Sequence, residues 1–448
     1  MAAINGGQVP TELTPVDPRT SEDCLFLDVI VPTGIFKRAT PHKRPGKGAP
    51  VLVWIHGGGY TAGEKASNNP SGLIKASQVT GNEGVIFVSI NYRLGAFGFL
   101  AGPSLQLDGV ANAGLYDQRL ALQWIQNKIH LFGGDCSRVT VVGESAGGGS
   151  IMHHITAFGG LKGPAPFQQA VPQSPGWQLI VGAVQQEKTF TAFLKLLNVT
   201  TLAEARSLPS EALITANAAQ VGLQSSYGQF TYGPVVDGLF APALPGQLLA
   251  RGQYDKSVNL LIGHNSNEGL LFTDPRITND TGFLQVLSTN FPDLPPSSET
   301  YITGTLYPPV FDGSHGYTDQ VGRVSLAIAE SSFACNTNYL ARAYGNRTHN
   351  YLFSVPPGLH GQDVPYTFFN GAPGQASASV LSPSTATALQ EYITSFTVTG
   401  TPGVPGLPHF PIYGMDAEVQ DLSATGIREI RDPAANERCL WWQKGFVS

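Results

Sequence analysis

Short runs of β-branched and aromatic residues recur along the chain, and their spacing predicts alternating strands and helices. VLVWI (51–55) and GVIFVSI (84–90) are apolar with almost no polar interruption. Runs of that length suit strands buried on both faces, as in a parallel sheet. CLFLDVIVP (24–32) alternates imperfectly and stops at Pro32, which suits a strand leaving a sheet. TGIFKRATPHKRPGKGAP (33–50) reads as a solvated loop with a small basic cluster. Between Ala111 and Gly134 the period changes. Ala121, Ile125 and Ile129 stand four apart with Leu120 and Trp124 beside them, which predicts a helix with one apolar face. Gly133-Gly134 is expected to stop it. RVTVV (138–142), FQQAV (167–171), VNLLIG (258–263) and NYLFSV (350–355) predict further strands, and stretches near 185–220 and 320–345 predict helices. Strand, helix, strand in repetition is the grammar of an α/β fold, a mostly parallel central sheet flanked by helices. No fixed-period repeat or linker divides the chain, so residues 1–448 are expected to form a single domain with helical insertions.

Composition narrows the class. Charged residues make up 13% of the 448, against about 25% in typical soluble domains. Hydrophobic residues at 42% argue against disorder, so the low charge marks an uncharged polar surface. A net charge of -6 without a prominent Lys/Arg-rich run argues against a nucleic-acid partner. No apolar run approaches the roughly 20 residues of a transmembrane helix. The opening MAAINGGQVPTELTP lacks a basic segment followed by an apolar stretch, so no signal peptide is expected. Four scattered cysteines fit neither a disulfide framework nor a zinc site, and no metal is expected. Asn198, Asn279 and Asn346 head N-glycosylation sequons. A chain this rich in Asn, Ser and Thr carries a few by chance, so they permit secretion without establishing it.

Candidate chemistry begins where RVTVV runs into Gly143-Glu144-Ser145-Ala146-Gly147 and then a helix-like stretch. G-x-S-x-G between strand and helix is a nucleophile elbow. The serine must stand at the tip of a tight, strained turn. Side chains two residues before and after it would collide as strand and helix close, and Gly143 and Gly147 remove them. The following helix aims its N-terminus at developing negative charge. A glycine-rich turn with an incidental serine is the alternative, which the strand–turn–helix setting disfavours. Upstream, His56-Gly57-Gly58-Gly59-Tyr60 follows VLVWI directly. Glycines at a strand end let backbone N–H groups face a ligand. No Gly-Lys-Ser/Thr follows, which disfavours a phosphate loop. The N–H of Ala146 would supply the rest of an oxyanion hole.

In this motif's chain order a carboxylate and then a histidine follow the serine. VNLLIG leads into His264-Asn265-Ser266-Asn267-Glu268-Gly269, placing Glu268 past a strand's C-terminal end. Asp274 competes from further along the loop. Beyond Glu268 lie His315, His349, His360 and His409. His360 follows NYLFSV in a loop with Pro and Gly on both sides, whereas His349 precedes that strand and His409 follows no comparable run. His153 and His154 come too early and suit ordinary helix positions. The pattern therefore favours Glu268 and His360.

These segments resemble the type-B carboxylesterase/lipase family, which also contains the cholinesterases, and are most similar to its fungal members. SEDCLFLDVIVP, VLVWIHGGGYTAG, VSINYRLGAFGFL, GLYDQRLALQWIQNKI, FGGDCSRVTVVGESAGGGS, YGPVVDG, GHNSNEG and LHGQD occur in family order from about residue 21 onward. The resemblance implies the α/β-hydrolase fold, with Ser145 as nucleophile, Glu268 as acid and His360 as base. It implies Gly58, Gly59 and Ala146 as oxyanion donors, with Gly57 beside them. Ser174, in QSPGW, matches a family serine near the acid; Glu144 is a further supporting candidate. Cys335 and Cys439 match a family disulfide. Cys24 matches a half-cystine whose partner lies upstream, so it is expected to be unpaired unless Cys136 reaches it. Family members begin well before SEDC, and their N-terminal strands and the lipase lid loop have no counterpart here. One sheet edge is accordingly expected to be exposed.

The chemistry implied is hydrolysis of a small carboxylic ester by a serine carboxylesterase, through an acyl-enzyme and without metal or organic cofactor. Two alternatives stand beside it. One is a lipase acting on longer-chain acylglycerols. The other is a non-catalytic binding or adhesion protein, as in the neuroligin-like branch, although such members lose triad residues. Tyr60, Trp177 and Phe369 are candidates for the substrate pocket and equally for ordinary core. The resemblance and the implied disulfide suggest export.

Overall fold

The computed structural model describes residues 17–39, 48–79, 83–345, 347–371 and 379–444. Nine strands form one sheet: β1 (Leu27–Ile30), β2 (Ala49–Ile55), β3 (Ile86–Ile90), β4 (Gly134–Glu144), β5 (Gln169–Gln173), β6 (Asn259–Asn265), β7 (His349–Phe353), β8 (Glu418–Leu422) and β9 (Ile427–Arg431). Their spatial order is β1-β3-β2-β4-β5-β6-β7-β8-β9. The strands from β3 to β8 are mutually parallel, while β1 and β9 join antiparallel at the two edges.

Side chains alternate across a strand, so a strand buried on both faces feeds two cores. Val51, Val53 and Ile55 of β2 join one cluster with Ile86, Val88, Val139 and Val141. Leu52 and Trp54 join a second with Phe87, Val142, Val171 and Leu261. The helices Ala113–Lys128 and Ala146–Ile155 cover the first face. The helix Pro383–Thr399 covers the second through Ala386, Leu389, Ile393 and Phe396.

The helix expected after Ala111 is present, but its buried face differs. Leu115, Leu122, Ile125 and Ile129 are fully buried, whereas Leu120 is 60% exposed. Leu122 is two positions beyond Leu120, about 200° around the axis, so they cannot share a face. Gly133 ends the segment in the left-handed region, at φ 86°, and Gly134 already belongs to β4. At one edge of the sheet β1 is half-buried, with Ile30 41% and the preceding Phe26 55% exposed.

Cys335 and Cys439 form a disulfide with a Cα–Cα distance of 5.1 Å, tying the helix Cys335–Ala343 to the helix Glu437–Gln443. Cys24 and Cys136 are free thiols. No helix among the described residues is long and apolar enough to cross a membrane.

Candidate active site

Parallel strands point their C-terminal ends the same way, and loops leaving those ends meet on one side of the sheet. The glycine loop leaves β2, Ser145 leaves β4, Ser174 leaves β5, Glu268 follows β6 and His360 follows β7. Residues far apart in the chain thus come from neighbouring strands.

Ser145 sits at φ 56°, ψ −118° between β4 and the helix Ala146–Ile155. A non-glycine residue held there stores roughly 1–3 kcal/mol of strain. Hydrogen bonds enforce it. Ser145 N donates to Gln173 O (3.0 Å), and Ser145 O accepts from Gly149 N (2.8 Å) and Gly176 N (3.1 Å). The glycines are demanded by close approach. A Cβ on Gly147 would lie 2.0 Å from Ile55 O, and one on Gly143 would lie 2.7 Å from Gly147 C.

The glycine loop is equally tight. Gly58 and Gly59 take φ of 105° and 60°. A Cβ on Gly58 would meet Ala62 O at 2.2 Å, and one on Gly59 would enter the Phe230 ring at the same distance. Gly58 O accepts from Thr61 N (3.1 Å) and Ala62 N (3.0 Å), closing the turn. His56 anchors its start, stacked on Tyr92 with centroids 4.5 Å apart.

Glu268 is 1% exposed and has three partners. Ser174 Oγ and Asn265 N each donate to Oε1 at 2.6 Å, and His360 Nδ1 lies 2.5 Å from Oε2. Burial would raise the Glu268 pKa, but the His360 charge and these bonds together lower it. The two loops are laced together, with Asn265 Nδ2 donating to Leu359 O (2.7 Å) and Asn267 N to Gly358 O (2.8 Å). Behind them, buried Asp363 accepts from Tyr351 Oη (2.7 Å) and Gln173 Nε2 (3.2 Å).

His360 Nε2 is buried and carries no hydrogen bond among the described residues. It faces Glu144 Oε1 at 3.3 Å. Burial lowers the His360 pKa, but the charges of Glu144 and Glu268 override it and raise the value to about 9. Burial pushes Glu144 up to about 8. The structure thus brings Glu268, His360, Ser174 and Glu144 into direct contact. Ser145 adjoins Glu144 in sequence and shares the Gly57 turn with its carboxyl: a Cβ on Gly57 would lie 2.9 Å from Glu144 Oε2 and 3.1 Å from Ser145 Cβ.

The rival groups are committed elsewhere. Asp274 bonds Arg276. His153 bonds Gly149 O and His154 bonds Gln118, and burial lowers their pKa values to about 4 and about 3. His349 bonds Pro411 O, and the His409 side chain is 81% exposed.

Ser145 opens onto a pocket. Tyr60 and Trp177 line it, as do Phe230, Phe272 and Phe333. Phe369 does not; it packs with the second core, on the opposite face of the sheet. Phe333 and Phe272 lie with ring centroids 4.2 Å and 5.1 Å from His360. Phe333 is carried by a π-helical turn, Glu330–Ala334. The sequence holds no local sign of that turn, and Phe333 was not among the expected site residues. Asn265 and Asp363 were also missed, although both lie inside the GHNSNEG and LHGQD segments.

The sheet order, the strained serine elbow and the loops gathered around it define a hydrolase of the α/β-hydrolase fold. A family model described as the carboxylesterase family matches residues 4–442. The chain is 41% identical over 439 residues to carboxylesterase patB of Penicillium expansum, covering 97% of this chain and 77% of that one. It is 32% identical to a secreted lipase of Arthroderma benhamiae, covering 94% and 82%. The crystal structure of Aspergillus niger EstA superposes with a TM-score of 0.82 at 24% identity, covering 96% of this chain and 86% of that one. This chain belongs to the carboxylesterase family and is an ester hydrolase.

Proposed function

We propose that hydrolysis proceeds by two-step acyl transfer on Ser145, with His360 as general base and Glu268 as its orienting acid. The observation that carries this is the buried Glu268–His360 pair, 2.5 Å apart, whose other imidazole nitrogen is unbonded and lies beside the strained elbow. An ionised Glu268 accepts the Nδ1–H, so Nε2 is the nitrogen free to take a proton. Ser145 Oγ attacks the carbonyl carbon as its proton moves to His360 Nε2. The N–H groups of Gly58, Gly59 and Ala146 receive the oxyanion; one such donor contributes roughly 3 kcal/mol in other hydrolases. His360 returns the proton to the leaving alcohol, and water then repeats the sequence on the acyl-enzyme. Apo hydrogen bonds of this kind commonly tighten only when substrate binds, which accommodates the absence of a Ser145–His360 bond.

Further features support a single exported domain. Both cores are built on one sheet. A disulfide suits an oxidising compartment, and a relative of this chain is described as a secreted lipase. Asn198 and Asn279 are exposed and open to glycosylation, while Asn346 lies outside the described residues.

The test is Ser145→Ala against wild type on p-nitrophenyl acetate, with circular dichroism to confirm that both fold. Loss of turnover by about 10⁴-fold or more is expected. Retained turnover overturns the assignment.

A further inference from the structure

The pocket in front of Ser145 has two kinds of wall. One is aromatic and adjoins the reacting groups, with Phe230 against Gly59 and with Phe272 and Phe333 against His360. The other carries three primary amides, Gln178, Gln229 and Asn290. Among the described residues no Asp, Glu, Lys or Arg lines this pocket.

The amides are joined head to tail. Asn290 Nδ2 donates to Val286 O (2.8 Å), and Asn290 Oδ1 accepts from Gln229 Nε2 (2.6 Å). Gln229 Oε1 accepts from Gln178 Nε2, and Gln178 Oε1 accepts from Phe230 N (3.4 Å). A backbone group closes each end. The Val286 carbonyl can only accept and the Phe230 N–H can only donate, so the direction of the whole row is fixed. Each amide has two N–H groups and commits one of them within the row. The second N–H of each has no acceptor among the described residues. All three residues are half-buried.

Such a wall discriminates by chemistry. An alkyl chain laid against it would remove water from the amide N–H groups and replace it with nothing, at a cost comparable to lost hydrogen bonds. A carboxylate or ammonium would be desolvated without a counter-charge. A neutral oxygen satisfies the N–H groups without either penalty. We infer that the Gln178–Gln229–Asn290 row is a subsite for an uncharged, oxygen-bearing group of the ester, such as a ketone, an ether or a second ester carbonyl. The preferred substrates are then short oxygenated esters rather than fatty-acyl esters. The inference rests on the ester hydrolysis proposed at Ser145.

The experiment uses two matched pairs of esters, each differing by one CH₂ replaced with C=O. p-Nitrophenyl 4-oxopentanoate against p-nitrophenyl pentanoate probes the acyl side. 2-Oxobutyl acetate against butyl acetate probes the alcohol side. Each kcat/KM is divided by that ester's own hydroxide-catalysed rate, and only the ratio within a pair is read. Wild type is expected to favour the oxo ester in at least one pair by about tenfold or more, the net effect of about one hydrogen bond at a half-buried site. Gln229→Met, nearly the same shape without the amide, is expected to bring that ratio close to one, and Gln178→Met to lower it. Ratios near one for wild type in both pairs overturn the subsite while leaving Ser145 chemistry intact. So does a ratio unchanged in both variants, or an equal loss of both esters in both variants, which marks the row as structural. If wild type hydrolyses none of the four esters, or Ser145→Ala still hydrolyses them, the underlying mechanism fails instead.

Discussion

Replacing Ser174 with Ala removes one defined bond from the Glu268 carboxylate, the acid proposed to orient His360. Glu268 is 1% exposed and has three hydrogen-bond partners, two of them on Oε1 at 2.6 Å. Hydrogen bonds to charged groups contribute about 1.5–3 kcal/mol each, and short O–H···O⁻ contacts are among the stronger ones. The Ala variant keeps the backbone donor Asn265 N, so the loss is that of a single bond. At about 1.4 kcal/mol per factor of ten, this corresponds to between about tenfold and a hundredfold in kcat/KM. The full amount is felt only if Glu268 matters more in the transition state, as it does when His360 becomes an imidazolium. Ser174 has φ 43°, and Ala has the same Cβ, so the backbone is not further strained. Stability should fall as well, with a defined pH dependence. The folded Glu268 pKa is lowered, so its contribution is present above the unfolded value of about 4.3 and is lost as pH falls through the folded value. The deficit of the variant is therefore full near neutrality and shrinks in acid. The assay is kcat/KM for p-nitrophenyl acetate alongside melting at several pH values. A folded variant within about twofold of wild type at neutral pH would refute the role given to Glu268.

Further outcomes follow from the groups around His360. As the proposed base His360 acts only when neutral, and its pKa is raised to about 9 with Glu144 as the leading charge. The acid limb of kcat/KM should therefore lie above the ordinary histidine value of about 6.5. Glu144→Gln removes one flanking charge, 3.3 Å from Nε2, and should move that limb down by about one unit or more. An unmoved limb would show that Glu144 is already neutral in the working enzyme. Removing the disulfide as Cys335→Ser with Cys439→Ser opens a link of sequence separation 104 and should cost about 2–5 kcal/mol, read as a lower melting temperature. Because Phe333 stands two residues before Cys335 with its ring 4.2 Å from His360, KM should rise too. Unchanged melting and KM would show that the link does not hold that wall.

What the chain disclosed in advance depends on how local each constraint is. The elbow was legible because its motif is short: Gly143 and Gly147 flank Ser145, and a Cβ on the first would strike Gly147 while one on the second would strike the end of β2 at Ile55. The central strands were legible because both faces are buried, which makes them continuous apolar runs. The C-terminal pair β8 and β9 was not, for the opposite reason. EVQDL buries Gln420 and Asp421, and IREIR is an edge strand left half in water, so neither is an apolar run. Leu120 misled because an apolar residue beside a stripe need not belong to it. That Glu268 and His360 meet, 2.5 Å apart, was legible from their place after strand ends, a rule of topology that survives the sequence distance between them. The wall of the pocket obeys no such rule. Phe333 reaches His360 because a π-helical turn places it there, and Gln178, Gln229 and Asn290 meet only because a loop after β5, a long insertion and the end of the helix Asp280–Asn290 fold onto one pocket. Reaction chemistry is written into short motifs because it tolerates almost no displacement. The walls of the pocket in front of Ser145 are built by contacts between insertions, where a glutamine carries no signal until its partner is known.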